Sequence, residues 1–77
     1  MKIKKGDKFI CKNGKKGLIT YIDINSNTII SQVTMEQYGE SFSWCQSILY
    51  NTKGLTDDRD LKEFDIEEII NWEVLNL

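Results

Sequence analysis

Gly6-Asp7-Lys8-Phe9-Ile10-Cys11-Lys12-Asn13-Gly14-Lys15-Lys16-Gly17-Leu18-Ile19-Thr20-Tyr21-Ile22-Asp23-Ile24 is the stretch on which the fold turns. Two β-prone runs, Lys8–Lys12 and Leu18–Ile24, flank Asn13-Gly14, where positive φ is tolerated, and Gly17 adds a second permissive position. Strand side chains alternate, so Phe9 and Cys11 share one side of the first run and Ile10 takes the other. In the second run Leu18, Thr20, Ile22 and Ile24 alternate with Ile19, Tyr21 and Asp23. The first set is expected to face the core. A lysine-crowded hairpin is thus the expected nucleus of the fold.

Reading outward, Asn25-Ser26-Asn27 signals another turn. Thr28–Met35 is rich in β-branched residues and reads as a third strand, which makes a meander with the hairpin. Gln37-Tyr38-Gly39-Glu40 turns the chain again. The next segment, through residue 51, has two readings. Ser43 with Gln46 outlines a capping box, and the pairs Trp44/Ile48 and Cys45/Leu49 recur at four-residue spacing, which favours a short strand at 40–43 leading into a helix at 44–51. Gly54 then stands where such a helix would stop. A continuous strand is the alternative.

Thr52–Glu63 is polar and acidic, an exposed loop or one loose helical turn. Asp65 and Glu68 outline a second capping box, with Phe64 and Ile69 placed to staple it, which predicts a helix of about two turns. Trp72–Leu77 returns to alternation, and a last strand pairing with an early one would close the sheet. The expected core is Phe9, Leu18, Ile22, Ile24, Ile29, Val33, Ile48, Ile69 and Val74. The fold class is mostly β: a strongly bent sheet of about five strands, with one or two short helices in the C-terminal half.

The chain has 77 residues, which leaves room for one domain, 1–77, with a thin core. Its hydrophobic content of 40% is too high for a disordered tail. Lys2, Lys4, Lys5 and Lys8 interrupt the N-terminal residues, so neither a signal peptide nor a membrane span is expected, and the expected compartment is cytoplasmic. There a disulfide between Cys11 and Cys45 is disfavoured. Two cysteines without any histidine make no closed zinc site, and the acidic run 57–68 lacks the spacing of a calcium loop. No metal and no cofactor is expected.

The net charge of −2 conceals an asymmetry. Lysines dominate residues 1–20, and acidic residues dominate 51–77. Either the two halves attract one another within the fold, or they offer faces to partners of opposite charge.

Gly6-Asp7-Lys8-Phe9-Ile10 followed by Lys15-Lys16-Gly17-Leu18-Ile19-Thr20-Tyr21-Ile22-Asp23 resembles the opening hairpin of SH3-like small barrels, nearest to the KOW and Tudor-like type. Gly17 matches that motif's glycine and Lys16 the basic residue before it. The resemblance covers residues 4–24 and implies an SH3-like barrel, with nucleic-acid binding as the role of KOW domains. In compositional style the chain is also similar to small accessory proteins of bacteriophages or mobile elements.

Function is read largely by exclusion. With no histidine there is neither a usual general base nor a Ser-His or Cys-His pair, and Cys11, whose one candidate activator is Lys12, reads as the usually inert case of a strand cysteine beside a solvated lysine. No catalytic residue is assigned, and the chain is expected not to be an enzyme. The favoured reading is a non-enzymatic protein-binding module, in the manner of a phage-type inhibitor of a host protein. Tyr38, Phe42, Trp44 and Tyr50 are its expected anchors, because so small a core cannot bury every large aromatic. The same aromatics could seal a homodimer. The alternative is nucleic-acid binding through the basic hairpin 4–21, with Lys12, Lys15 and Lys16 at phosphates and Tyr21 stacking a base. No membrane partner is expected.

Overall fold

The structure, a computed structural model, describes residues 2–38 and 42–71, with the backbone alone at 36–38 and 42–43. Five strands form one antiparallel sheet: β1 Lys8–Cys11, β2 Lys16–Asp23, β3 Thr28–Tyr38, β4 Phe42–Tyr50 and β5 Ile66–Ile69. Their order is β4-β3-β2-β1-β5. The first three make the expected meander, and β4 extends it by one strand. A 3-10 helix over Arg59–Phe64 then delivers β5 to the free side of β1. The sheet does not close among the described residues, and β4 and β5 are its two edges.

The opening hairpin forms for the reasons its residues suggest. Gly14 N–H donates to the Cys11 carbonyl at 2.9 Å, and Cys11 N–H to the Lys15 carbonyl at 2.8 Å, leaving Lys12–Gly14 as the loop. Gly14 takes φ +85°, the left-handed position that a three-residue hairpin loop requires. Asp23 ends β2: its carboxylate accepts the amides of Asn25 and Ser26.

The expected core face of β2 is corrected by a bulge. The register with β3 runs Gly17↔Val33, Leu18↔Gln32 and Ile19↔Ser31, then skips to Tyr21↔Ile30 and Ile22↔Ile29. One extra residue reverses the inward–outward alternation. Gly17 and Ile19 face inward before it and Ile22 after it, so neither alternating set holds along the strand. Ile19 is buried, while Leu18 lies outward and Ile24, past the end of β2, is 82% exposed. Further register shifts occur between β3 and β4 and between β1 and β5. Such bulges bend a sheet.

The core gathers Phe9, Cys11, Ile19, Ile29, Val33, Ile48, Tyr50, Phe64 and Ile66, with Ile22 and Ile69 packed at its margin. At its centre the Phe9 ring stands opposite Gly17 in the β1–β2 register and meets Tyr50 edge-on, with centroids 5.7 Å apart. Val74 and the expected strand at 72–77 lie outside the described residues.

Two expected helices are strands. Residues 44–50 belong to β4, where Ile48 and Tyr50 point inward and Ser47 and Leu49 outward. The four-residue spacing is local, whereas nine cross-strand partners pair the segment along β3, and Phe, Trp, Ile and Tyr suit a pleated surface. Ser31 reinforces the pairing by donating its hydroxyl to the Ile48 carbonyl at 3.0 Å. The second expected helix, at 65–70, is β5. Asp65 caps no helix start. Its buried carboxylate accepts the Thr56 amide at 2.7 Å, while Asp58 caps the 3-10 helix by accepting Asp60 N–H. The polar loop 52–63 thus supplies the helical turn.

Asp7, the acid of the Gly6-Asp7 start, is buried. Its carboxylate accepts Lys4 N–H and the Asn71 side-chain amide, each at 2.8 Å, while Asn71 accepts Lys8 N–H at 2.7 Å. That bond set fastens the chain ahead of β1 to Asn71, two residues beyond β5.

Candidate protein interface

The bulge in β2 also builds the outward face of the sheet. With parity reversed after Ile19, Tyr21 points outward beside Ile30, and Ile30 stands opposite Leu49. Tyr21, Ile30 and Leu49 therefore form one lateral row across β2, β3 and β4. Tyr21 is 54% and Leu49 56% exposed. The neighbouring row is Lys8, Leu18, Gln32 and Ser47, in which Leu18 is 39% exposed. Thr34 and Cys45 follow, their hydroxyl and thiol 3.8 Å apart. The result is an apolar strip bordered by charged and polar side chains, Lys8, Gln32 and Ser47 among them. A strip like this is where a partner's apolar side chains gain most from leaving water.

The expected anchors are distributed differently. Tyr50 is a core residue: it is 2% exposed, and its hydroxyl donates to the Phe64 carbonyl at 2.8 Å. Burial pushes its phenol well above the ordinary range, with the nearby Cys11 adding in the same direction. Trp44 is exposed, on the inward-pointing side of β4 beyond the end of the core. The side chains of Tyr38 and Phe42 lie outside the described residues. Leu18, Ile30 and Leu49 escape a reading of the sequence as surface residues, because the bulge that turns Leu18 and Tyr21 to the same face has no clear mark there.

The basic hairpin divides as well. Lys12 is exposed at the tip, whereas Lys15 donates its ammonium to the Met35 carbonyl at 2.8 Å. Lys16 stands on the outward side of β2, two positions before Leu18. Lys12 N–H bonds the Asp65 carbonyl and Asn13 N–H the Glu63 carbonyl, which sets the basic tip against the acidic segment of the same chain. These are main-chain bonds, and they place the lysine-bearing tip beside the acidic segment.

Chemistry at the cysteines is quiet. The Cys11 thiol is buried, 3.8 Å from the Tyr50 hydroxyl, and desolvation pushes its pKa up, away from the reactive thiolate. Cys45 lies on the other face of the sheet, with β2 and β3 between β4 and β1, and both thiols are free. Among the described residues no cluster of acidic or cysteine side chains is placed to hold a metal ion, and no helix is long and apolar enough to cross a membrane.

Comparison with protein-family models, curated proteins and solved structures finds no match.

Proposed function

We propose that this chain is a non-enzymatic protein-binding module that meets its partner with the outward face of the sheet. The observation that carries the reading is the row Tyr21–Ile30–Leu49, in register across three strands and joined by Leu18. Isolated exposed apolar residues are ordinary, but a contiguous strip on one sheet face is what interfaces use. The strand order, with the last strand returning beside the first behind a short helical turn, supports an SH3-like small barrel as the scaffold. The bulges supply the bend that such a barrel needs. A phage-type inhibitor of a host protein is one form of this role, and only compositional style speaks for it.

Nucleic-acid binding is the second reading, favoured by Lys12 at the tip and by Lys16 and Tyr21 on the outward side of β2. It ranks lower because Lys15 is engaged by the Met35 carbonyl and the tip faces the acidic segment.

Affinity capture from the source cells with the wild-type chain and with a Leu18→Ser, Tyr21→Ser, Leu49→Ser variant separates the two. A protein retained by the wild type and lost from the folded variant supports the reading. Capture that is unchanged in the variant, or that nuclease abolishes, refutes it.

A further inference from the structure

Among the described residues β4 is an open edge of the sheet, which offers a second surface beside the face. A groove of about 530 Å³ runs beside β4. Ser47, Ile48, Leu49, Tyr50 and Asn51 all line it. Ser26, Asn27 and Thr28, at the turn into β3, line it as well. An edge strand leaves alternate amides and carbonyls without a neighbouring strand. The opposite wall is the segment ahead of β5, including Thr56, Asp57, Asp58 and Leu61. Asp57 and Asp58 are the only charged side chains lining the groove among the described residues. Lys62 also reaches this wall, donating its ammonium to the Thr56 carbonyl.

The geometry points to strand addition: an extended, basic segment of a partner protein pairs with the free edge of β4 between Leu49 and the Asp57–Asp58 wall. This rests on the protein-binding reading and names the partner's chemistry. Main-chain bonds to the edge give affinity, and alternate side chains give specificity. A residue opposite Leu49 on the outward face extends the row Tyr21–Ile30–Leu49 by one position, so an apolar side chain fits there. Its neighbours in the added strand point the other way, and lysine or arginine suits the acidic wall. A second copy of this chain suits it less: two β4 edges brought together would set Asp57 and Asp58 of each copy in the same neighbourhood, and like charges across an edge oppose pairing.

The test uses the full chain and four synthetic heptapeptides: one alternating Lys and Val, its Glu-for-Lys counterpart, and the Lys-Val peptide N-methylated at one or the other set of alternate amides. Binding is followed by amide chemical shifts. The expected result is saturable binding of the Lys-Val peptide with shifts at 47–51 and 56–58. The Glu-Val peptide and the Asp57→Asn variant bind at least about fivefold more weakly, and N-methylation in one of the two alternations abolishes binding. The proposal is overturned by equal binding of the Lys and Glu peptides, by no binding of either, or by self-association of the chain that protects 47–51. It is also overturned by a native partner that shifts Leu18 and Tyr21 while leaving 47–51 and 56–58 unmoved. That last outcome leaves the protein-binding reading standing. Loss of both sets of shifts with every protein partner ends the two together.

Discussion

Gly17→Ala is the sharpest probe of the fold, because a single methyl group meets the centre of the core. A Cβ built on Gly17 would lie 2.4 Å from Cζ of Phe9 and 2.9 Å from both Cε atoms. The ring is fully buried and held edge-on by Tyr50, so it has no open space to swing into. Relieving such overpacking costs about 1–3 kcal/mol. Replacing glycine in a strand recovers about 0.5–1 kcal/mol of backbone entropy, so the net loss is about 1–2 kcal/mol. With a urea m-value of about 1 kcal/mol/M for a domain of this size, the unfolding midpoint falls by about 1–2 M. In a Phe9→Leu background the obstructing Cζ is absent, and the same substitution then costs less. A Gly17→Ala protein as stable as wild type, or an equal loss in both backgrounds, would refute the packing argument.

Other consequences can be measured alongside it. Asp7→Ala leaves the Lys4 amide and the Asn71 side chain without their acceptor and is expected to cost about 1–3 kcal/mol in denaturant unfolding. Tyr50→Phe leaves the Phe64 carbonyl unpaired in the core and costs about 1–2 kcal/mol by the same measurement. The pKa values of Cys11 and Tyr50 are raised in the fold above their ordinary values of 9.0 and 10.0, so the native state keeps protons that the unfolded chain releases. Their contribution is whole below about pH 9, and stability falls as pH rises beyond it, less steeply in Cys11→Ala and Tyr50→Phe. A thiol reagent labels Cys45 in the folded protein and reaches Cys11 only on unfolding, a difference visible by mass spectrometry.

Much of the fold is legible in residues 6–35, and the reasons are local. Asn13-Gly14 and Asp23 through Asn27 carry turn chemistry that depends on few neighbours, and Phe9, Ile29 and Val33 have the period of a half-buried strand. The misreadings share a physical cause. At Thr20 an inserted residue reverses which side faces inward, and nothing in Leu18–Ile24 announces it, because both alternating sets are apolar enough. At 44–50 and 65–69 the capping-box spacings are genuine local options. They yield to pairing partners eight or more residues away: β3 claims one segment and β1 the other. Asp65 illustrates the point, since its carboxylate serves Thr56 and not a helix start. The candidate interface is harder still to read. Tyr21 stands out in the sequence only as a base-stacking residue, because Ile30 and Leu49 become its neighbours only through the sheet register.

Amide hydrogen exchange of the chain alone and in complex with its captured partner reads both proposed contacts in one experiment. New protection is expected along the outward strip, at 18–21 and 30, and along the β4 edge at 47–51. Protection confined to the hairpin tip at 11–16 and lost as salt is raised would contradict protein binding through this face.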